Sequence, residues 1–384
     1  MVHKRTGGMF ISILHNRDYT VLEDDPGREA REDVLKVAAA VAPVLRAGGH
    51  VVETLAVEQD LFAVHDTFQK RRPDLVLNLC ESLAADSRGE MLVPAVLDLL
   101  GVPYTGSGAL SLALALHKNK AKEILQARGV PTPGFCMVEH LEDLTRVDLP
   151  FPLIVKPSRE DASTGIDFDS VVFDRRGLGK AVTRVLRTFH QPALVEQYVD
   201  GREVYVPLLG NAPRRSLPLT EIRFGGETFA TRPRVLSYRA KWHLGSQECE
   251  DSPSHPALLT AELEARCVEV AIGAFEALEC RDYGRVDLRV DAAGQPFVID
   301  INPNCDLHPQ AGFARAAEAA GISYGALALH LVDLAWERRH GNQAPRGSRP
   351  AAARRAAVPH RDLLAGRGGL RARAHRRGSP AGQP

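Results

Sequence analysis

The chain has 384 residues, 44% of them hydrophobic and 25% charged, which is enough for two or three packed domains. Its formal net charge is zero but unevenly spread: residues 341–384 hold ten Arg against one acid, Asp362, so that stretch stands at about +9 and the rest at about −9. A body of that sign offers no pull on nucleic acid, and no run of about 18 apolar residues exists to cross a membrane as a helix.

The opening MVHKRTGGMFISIL is basic and then briefly apolar, without a small-residue cleavage site, and reads as a first strand rather than a signal peptide. Phe10 to Leu14 is that strand, Glu29 to Ala47 repeats apolar residues at helical spacing, and Gly48-Gly49 stop the helix. His50 to Val57 reads as a strand, Asp60 to Arg71 as a helix, Asp74 to Leu79 as a buried strand and Glu90 to Leu100 as a helix. This alternation predicts an α/β unit with a parallel sheet. A second unit starts near Lys118, with a helix to Arg128, a strand at Pro152 to Lys156 and a helix at Gly177 to Phe189. Strands at Ala193 to Val199 and Glu203 to Leu209 flank a turn at Asp200-Gly201, and a long helix is expected over His255 to Leu278. Gly284 to Val290 and Pro296 to Asn302 then form a hairpin, and helices at Ala311 to Ala320 and Tyr324 to Arg338 follow, giving α+β character to this half. Residues 341–384, rich in Arg, Ala, Gly and Pro, read as a disordered tail. The six cysteines contain no CxxC pair and, in an expected cytoplasmic setting, favour free thiols over a zinc site.

The hairpin carries the strongest chemical signal. Side chains alternate across a strand, so Arg285, Asp287 and Arg289 share one face, and Asp300 and Asn302 share another. Pairing the strands brings Asp287, Asp300 and Asn302 together as two carboxylates and an amide oxygen, a hard-oxygen set suited to magnesium. The plain alternative is the solvated face of an edge hairpin. Lys156 ends an apolar strand and either meets an anion or reaches back to water. The small-residue loop Ser158 to Gly165 after it, with Ser163, is able to close over phosphates with backbone N–H groups. Leu194 to Glu203 is either a β-turn-β unit or an adenine edge with Glu203 on ribose hydroxyls. Lys241, in Tyr238-Arg239-Ala240-Lys241-Trp242, reads by itself as a solvent-facing Lys.

Taken in order, these segments resemble the ATP-grasp superfamily in its D-alanine–D-alanine ligase branch. The similar stretches are Gly101 to Ser107 running into Ala113 to Lys118, then Pro152 to Ser158, Leu194 to Val199, Gly284 to Asp287, and Asp300 to Asn302. The resemblance implies a pre-ATP-grasp domain over 1–117 and a two-lobed ATP-grasp domain over 118–338, its nucleotide lobe about 118–199 and its metal and catalytic lobe about 200–338. It implies ATP and Mg2+ (or Mn2+) as cofactors. Lys118 and Lys156 would contact phosphates, Glu196 and Val199 would hold adenine through their backbones, and Glu203 would bind ribose. Lys241 would reach the terminal phosphate, Asp287, Asp300 and Asn302 would bind metal, and Arg285 would stabilise a tetrahedral intermediate.

The expected activity is carboxylate–amine ligation through an acyl phosphate, with D-alanyl-D-alanine as one product. The partners are small carboxylates and amines of amino-acid type, with a homodimer as the candidate assembly. Ligation of other amino acids or peptides, a kinase, and a nucleotide-binding protein without turnover are the alternatives. The substrate side departs from the family pattern: His15-Asn16-Arg17-Asp18 replaces a glycine turn and acidic segment, and Asn304-Cys305-Asp306 stands where a Pro-Gly motif is usual. Asp300 replaces Glu, Trp242 replaces Tyr, and Asp161-Ala162-Ser163 replaces Gly-Ser-Ser.

Overall fold

A computed structural model of the chain describes residues 7–17, 28–243 and 245–340; the expected tail at 341–384 lies outside the described residues. Phe10–Asn16 is the central strand of a three-stranded parallel sheet, flanked by Val51–Val57 and Leu75–Asn78. A central strand with helices on both faces has no solvent side, which is why it reads as a nearly continuous apolar run. On one face Ile11, Ile13 and Leu77 pack with Val37, Val41 and Leu45 of the helix Arg28–Ala47. On the other, Leu14 and Val76 join Val64 and Phe68 of the helix Leu61–Lys70 and Val93 and Leu97 of the helix Leu92–Leu100. Asp60 caps the first of these last two helices, and Gly101, left-handed at φ 63°, ends the second.

The second sheet is antiparallel, in the order Phe135–Val138, Ala193–Gln197, Leu153–Pro157, Val171–Val172. The helix Arg175–Thr188 covers it with Leu178, Val182 and Val185, and Asp174 caps that helix by accepting from Gly177 N at 2.6 Å. The third sheet is also antiparallel and runs Ser254–Pro256, Thr220–Ile222, Arg202–Leu209, Tyr283–Val290, Pro296–Asn302, with Arg215–Ser216 paired to Arg202–Leu209. Val204, Val206, Val286, Leu288 and Val298 form a core with Cys267, Ala271 and Phe275 of the helix Ala261–Ala277. Their alternating neighbours therefore point to the opposite face. The α/β class with an α+β second half is the architecture observed.

Three details differ from the linear reading. Ala193–Gln197 and Arg202–Leu209 enter different sheets. After Tyr198 N–H bonds Pro152 O, the chain crosses between the sheets at Gly201, where a Cβ would collide with Val290 O. The long helix starts at Ala261 rather than His255, because Ser254–Pro256 pairs as an edge strand and the Thr260 hydroxyl caps Leu263 N. The closing helices Gly312–Ala319 and Tyr324–His340 place Phe313, Leu327 and Leu331 in the core of the first sheet. No single helix among the described residues is long and apolar enough to cross a membrane. All six cysteines are free.

Candidate active site

Lys118 opens the helix Lys118–Ala127, and Lys122 stands one turn further along on the same face. Both are buried. Lys118 Nζ donates to Asp300 Oδ1 at 2.9 Å and to Asp161 Oδ1 at 3.1 Å. Burial opposes its charge, but these two carboxylates more than offset that and hold its pKa above the usual range. Glu196, 1% exposed, sets its two oxygens against Lys122 Nζ and Lys156 Nζ. Burial would raise the Glu196 carboxyl, yet the two ammoniums keep it below 4.5. Lys122 is lowered as well: burial lowers it more than Glu196 raises it, and the charge of Lys156 adds to the fall. The two downward shifts have one cause. One carboxylate between two ammoniums leaves a positive charge over in a dry place, a setting that a phosphate oxygen would complete.

The hairpin pairs Asp287 with Asp300 and Arg285 with Asn302. A bulge shifts the register between Asp287 and Leu288, leaving Ile299 as the extra residue. Without it, Val298 and Asp300 would share a face; with it, Val298 stays in the core while Asp300 and Asn302 join Asp287. Arg285 donates to both oxygens of Asp287, at 2.6 and 2.8 Å, and Asn302 Nδ2 donates to Asp287 Oδ2 at 3.2 Å. Like charges facing each other across a ladder are unfavourable unless cations intervene; here Arg285 and Lys118 do so. Among the described residues no group of three His, Cys, Asp or Glu side chains is placed to hold a metal. The set offered is two carboxylates plus an amide oxygen, which fits magnesium, an ion that keeps water and phosphate oxygens in its shell.

Arg289 leaves this cluster and pairs with Glu203 at 3.1 Å, and Tyr205 Oη also donates to Glu203, at 2.8 Å. Two loops meet over the cleft: Trp242 Nε1 donates to Ala162 O at 3.1 Å, and Tyr238 N–H to Ile166 O at 3.1 Å. Ala162 (φ 57°) and Ser163 (φ 64°) are held left-handed, a strained arrangement for residues with a Cβ. Mg-ATP is expected to slow proteolytic cutting within 158–166; equal cutting with and without it would show that the loop does not close.

Lys118, Lys156, Ser163, Glu196, Val199, Glu203, Lys241, Arg285, Asp287, Asp300 and Asn302 all line one cavity of about 100 Å³. The eleven residues chosen from sequence thus converge. A second cavity of about 340 Å³ adjoins it, and Glu160, Asp161, Ala162, Lys241, Arg285 and Asn302 line both. Lys241 is open to the cleft yet ringed by protein; burial and then the charge of Arg285 lower its pKa below the usual range.

The second cavity is walled by residues that sequence reading passed over, above all Glu81, Glu90 and the carboxylate of Asp306. Burial and the nearby Asp306 push the Glu81 carboxyl up to about 8. Burial lifts Glu90 well above the usual range even though Asn304 Nδ2 donates to it at 2.8 Å. Lys122 was also missed, although its spacing of four from Lys118 was a usable signal. Cys305 lines this cavity as well and is buried, its thiol pushed up by burial.

A family model described as D-ala D-ala ligase C-terminus matches residues 124–333. An uncharacterized protein of Sinorhizobium fredii, y4sG, is 36% identical over 80% of this chain and 89% of its own length. The D-alanine–D-alanine ligase of Pelotomaculum thermopropionicum is 30% identical over 81% of this chain and 95% of its own. Among solved structures, the D-alanine–D-alanine ligase of Bacillus anthracis complexed with ATP has the same fold, with a TM-score of 0.69 at 22% identity, covering 88% of this chain and 100% of that one.

Proposed function

The chain belongs to the D-alanine–D-alanine ligase family and is an ATP-dependent carboxylate–amine ligase, and from that premise we propose how its two cavities divide the reaction. The smaller cavity takes the nucleotide. Lys118 and Lys156 meet its phosphates, Glu196 and Val199 border the adenine, and Glu203 faces the ribose. Asp287, Asp300 and Asn302 hold magnesium. Residues 118–199 then act as the nucleotide lobe and 200–338 as the metal and catalytic lobe. The larger cavity takes the carboxylate and the amine, both of amino-acid size. The observation that carries this reading is the shared wall: Lys241, Arg285 and Asn302 face both chambers, where a γ-phosphoryl group and a carboxylate would meet.

Bound ATP supplies the γ-phosphoryl group that makes a carboxylate a good acyl donor, and bound magnesium neutralises phosphate charge. The residues of the chain position and neutralise. Lys241 steadies the group in transfer. Arg285 stabilises the oxyanion that forms when the amine attacks, before phosphate leaves. Ser163, on the left-handed loop, covers the phosphates.

The test is phosphate release from Mg-ATP with amino acids supplied singly and in pairs, D-alanine paired with itself first among them. Release that needs both a carboxylate and an amine, with a new amide found by mass spectrometry, is the expected result. Release that ignores the amine would make the protein a kinase, and none with any pair would remove the proposal.

A further inference from the structure

We propose that the larger cavity selects an amine substrate carrying a second ammonium group, a diamine or the basic side chain of an amino acid, with Glu81 and Asp306 as its receptors. The inference rests on the assignment of this cavity to the carboxylate and amine substrates, and deepens it.

Its ground is charge. On the cavity wall Asp161 is paired with Lys118 at 3.1 Å, and Arg285 is tied to Asp287 at 2.6 Å. Asp33 is paired with Lys36 at 2.8 Å and Glu160 accepts from Gln191 Nε2 at 2.8 Å, and Glu81, Glu90 and Asp306 then stand opposite the ammonium of Lys241. Two plain amino acids joined head to tail bring one free ammonium and one free carboxylate. The ammonium suits this wall. The carboxylate would face Glu81, Glu90 and Asp306, while the guanidinium of Arg285 is taken first by Asp287 and then by the oxyanion of the reacting carboxyl. An acceptor whose far end is an ammonium meets complementary charge instead.

A separate observation points to a ligand at the same place. Ser82, beside Glu81 and 1% exposed, has a hydroxyl with no hydrogen-bond partner among the described residues, and Ser82 lies on this wall. A buried hydroxyl without a partner is costly, and an ammonium supplies three donors. Val34, Val37 and Leu116 give the cavity apolar surface for a methylene stem.

The titration behaviour agrees with the geometry. Glu81 faces Asp306, Asp33, Asp161, Glu90 and Tyr283, with Lys241 as the opposing cation. Burial and then the charges of Asp306, Asp33 and Asp161 lift Glu81 to about 8, so part of the wall carries protons at neutral pH. A bound ammonium favours the ionised form and displaces those protons. Affinity for a dication therefore rises as pH climbs through the Glu81 pKa, and falls again where the amine itself loses its charge.

The experiment compares acceptors in the phosphate-release assay at one carboxylate donor: diaminobutane against butylamine, and lysine against alanine in both configurations. The diamine and lysine are expected to win in kcat/KM by about tenfold, the worth of one charge-assisted contact. The KM for diaminobutane is expected to fall between about pH 6.5 and 8.5 while that for butylamine moves less. In Glu81→Gln the diamine-to-monoamine ratio should collapse, and Asp306→Asn gives the same readout if the first variant fails to fold. Equal use of mono- and diamines, or D-alanine as the preferred acceptor, would overturn the inference and leave the ligase assignment intact. Absence of phosphate release with every pair would instead strike the assignment itself.

Discussion

Asp287→Asn is expected to cut phosphate release by about a hundredfold to a thousandfold at saturating Mg-ATP, with the protein still folded at the assay temperature though its melting temperature falls. The argument is one of replaceable and irreplaceable oxygens. Asp287 faces Asp300 directly across the hairpin, and both now rest on cations of the chain, Arg285 and Lys118. An amide at position 287 has nearly the same shape and relieves the repulsion from Asp300, but its Nδ2 group donates and keeps only one of the two Arg285 bonds, so folding loses some stability. A divalent ion loses a charged ligand from a set that has only two. The loss of phosphate release belongs to the metal site, and raising magnesium should recover part of it. Near-normal turnover by the purified variant at unchanged magnesium would show that the ion is held elsewhere. On the proposed mechanism Arg285 has a linked part: it would release Asp287 to the ion and then face the oxyanion.

The hairpin was legible because a two-residue period states which side chains share a face, whatever lies beyond. Lys156 was legible because an apolar strand that ends in a cation must lead that cation somewhere. Other features were hidden for physical reasons. The bulge at Ile299 leaves no mark in a run of apolar and polar residues, yet it is what turns Asp300 toward Asp287 while Val298 stays in the core. The two strands around Asp200-Gly201 carry no label for the sheet each joins, and only the close approach of Gly201 to Val290 reveals the crossing. Glu81 and Asp306 are 225 positions apart in a chain that brings them to one wall, and ordinary acids in loops give no sign of such convergence. Lys122 was masked by its neighbours, since Lys118, Lys120 and Lys122 look alike in sequence while Lys120 alone turns to solvent and pairs with Glu123.

Glu196→Ala is expected to destabilise the folded protein by about 3–5 kcal/mol, read as a lowered urea midpoint with an unchanged slope. The carboxylate is shared by Lys122 and Lys156, all three are buried, and its removal leaves two ammoniums facing each other without a counter-charge. The sign of the pH dependence separates this cause from simple loss of packing. In the parent protein Glu196 titrates below its ordinary 4.5, so the stability it supplies is complete above that value and fades as pH falls through the lower folded-state value. The gap between parent and variant should close on acidification over that window. In the variant the lysines carry the burden. Lys122 already titrates below 10.5 with Glu196 present, and without it the depression deepens. A depressed ammonium means that the folded state binds fewer protons than the unfolded one, so the stability of the variant should climb as pH rises from neutral toward 10.5, more steeply than that of the parent. Mg-ATP supplies the same test from another direction. If phosphate oxygens sit against Lys156, nucleotide anions replace part of the missing charge, and saturating Mg-ATP should stabilise the variant by more than it stabilises the parent. A variant that lost stability equally at every pH, and that gained no more from Mg-ATP than the parent does, would show that Glu196 fills space beside the lysines and that the spare charge of the cluster is not what the nucleotide meets.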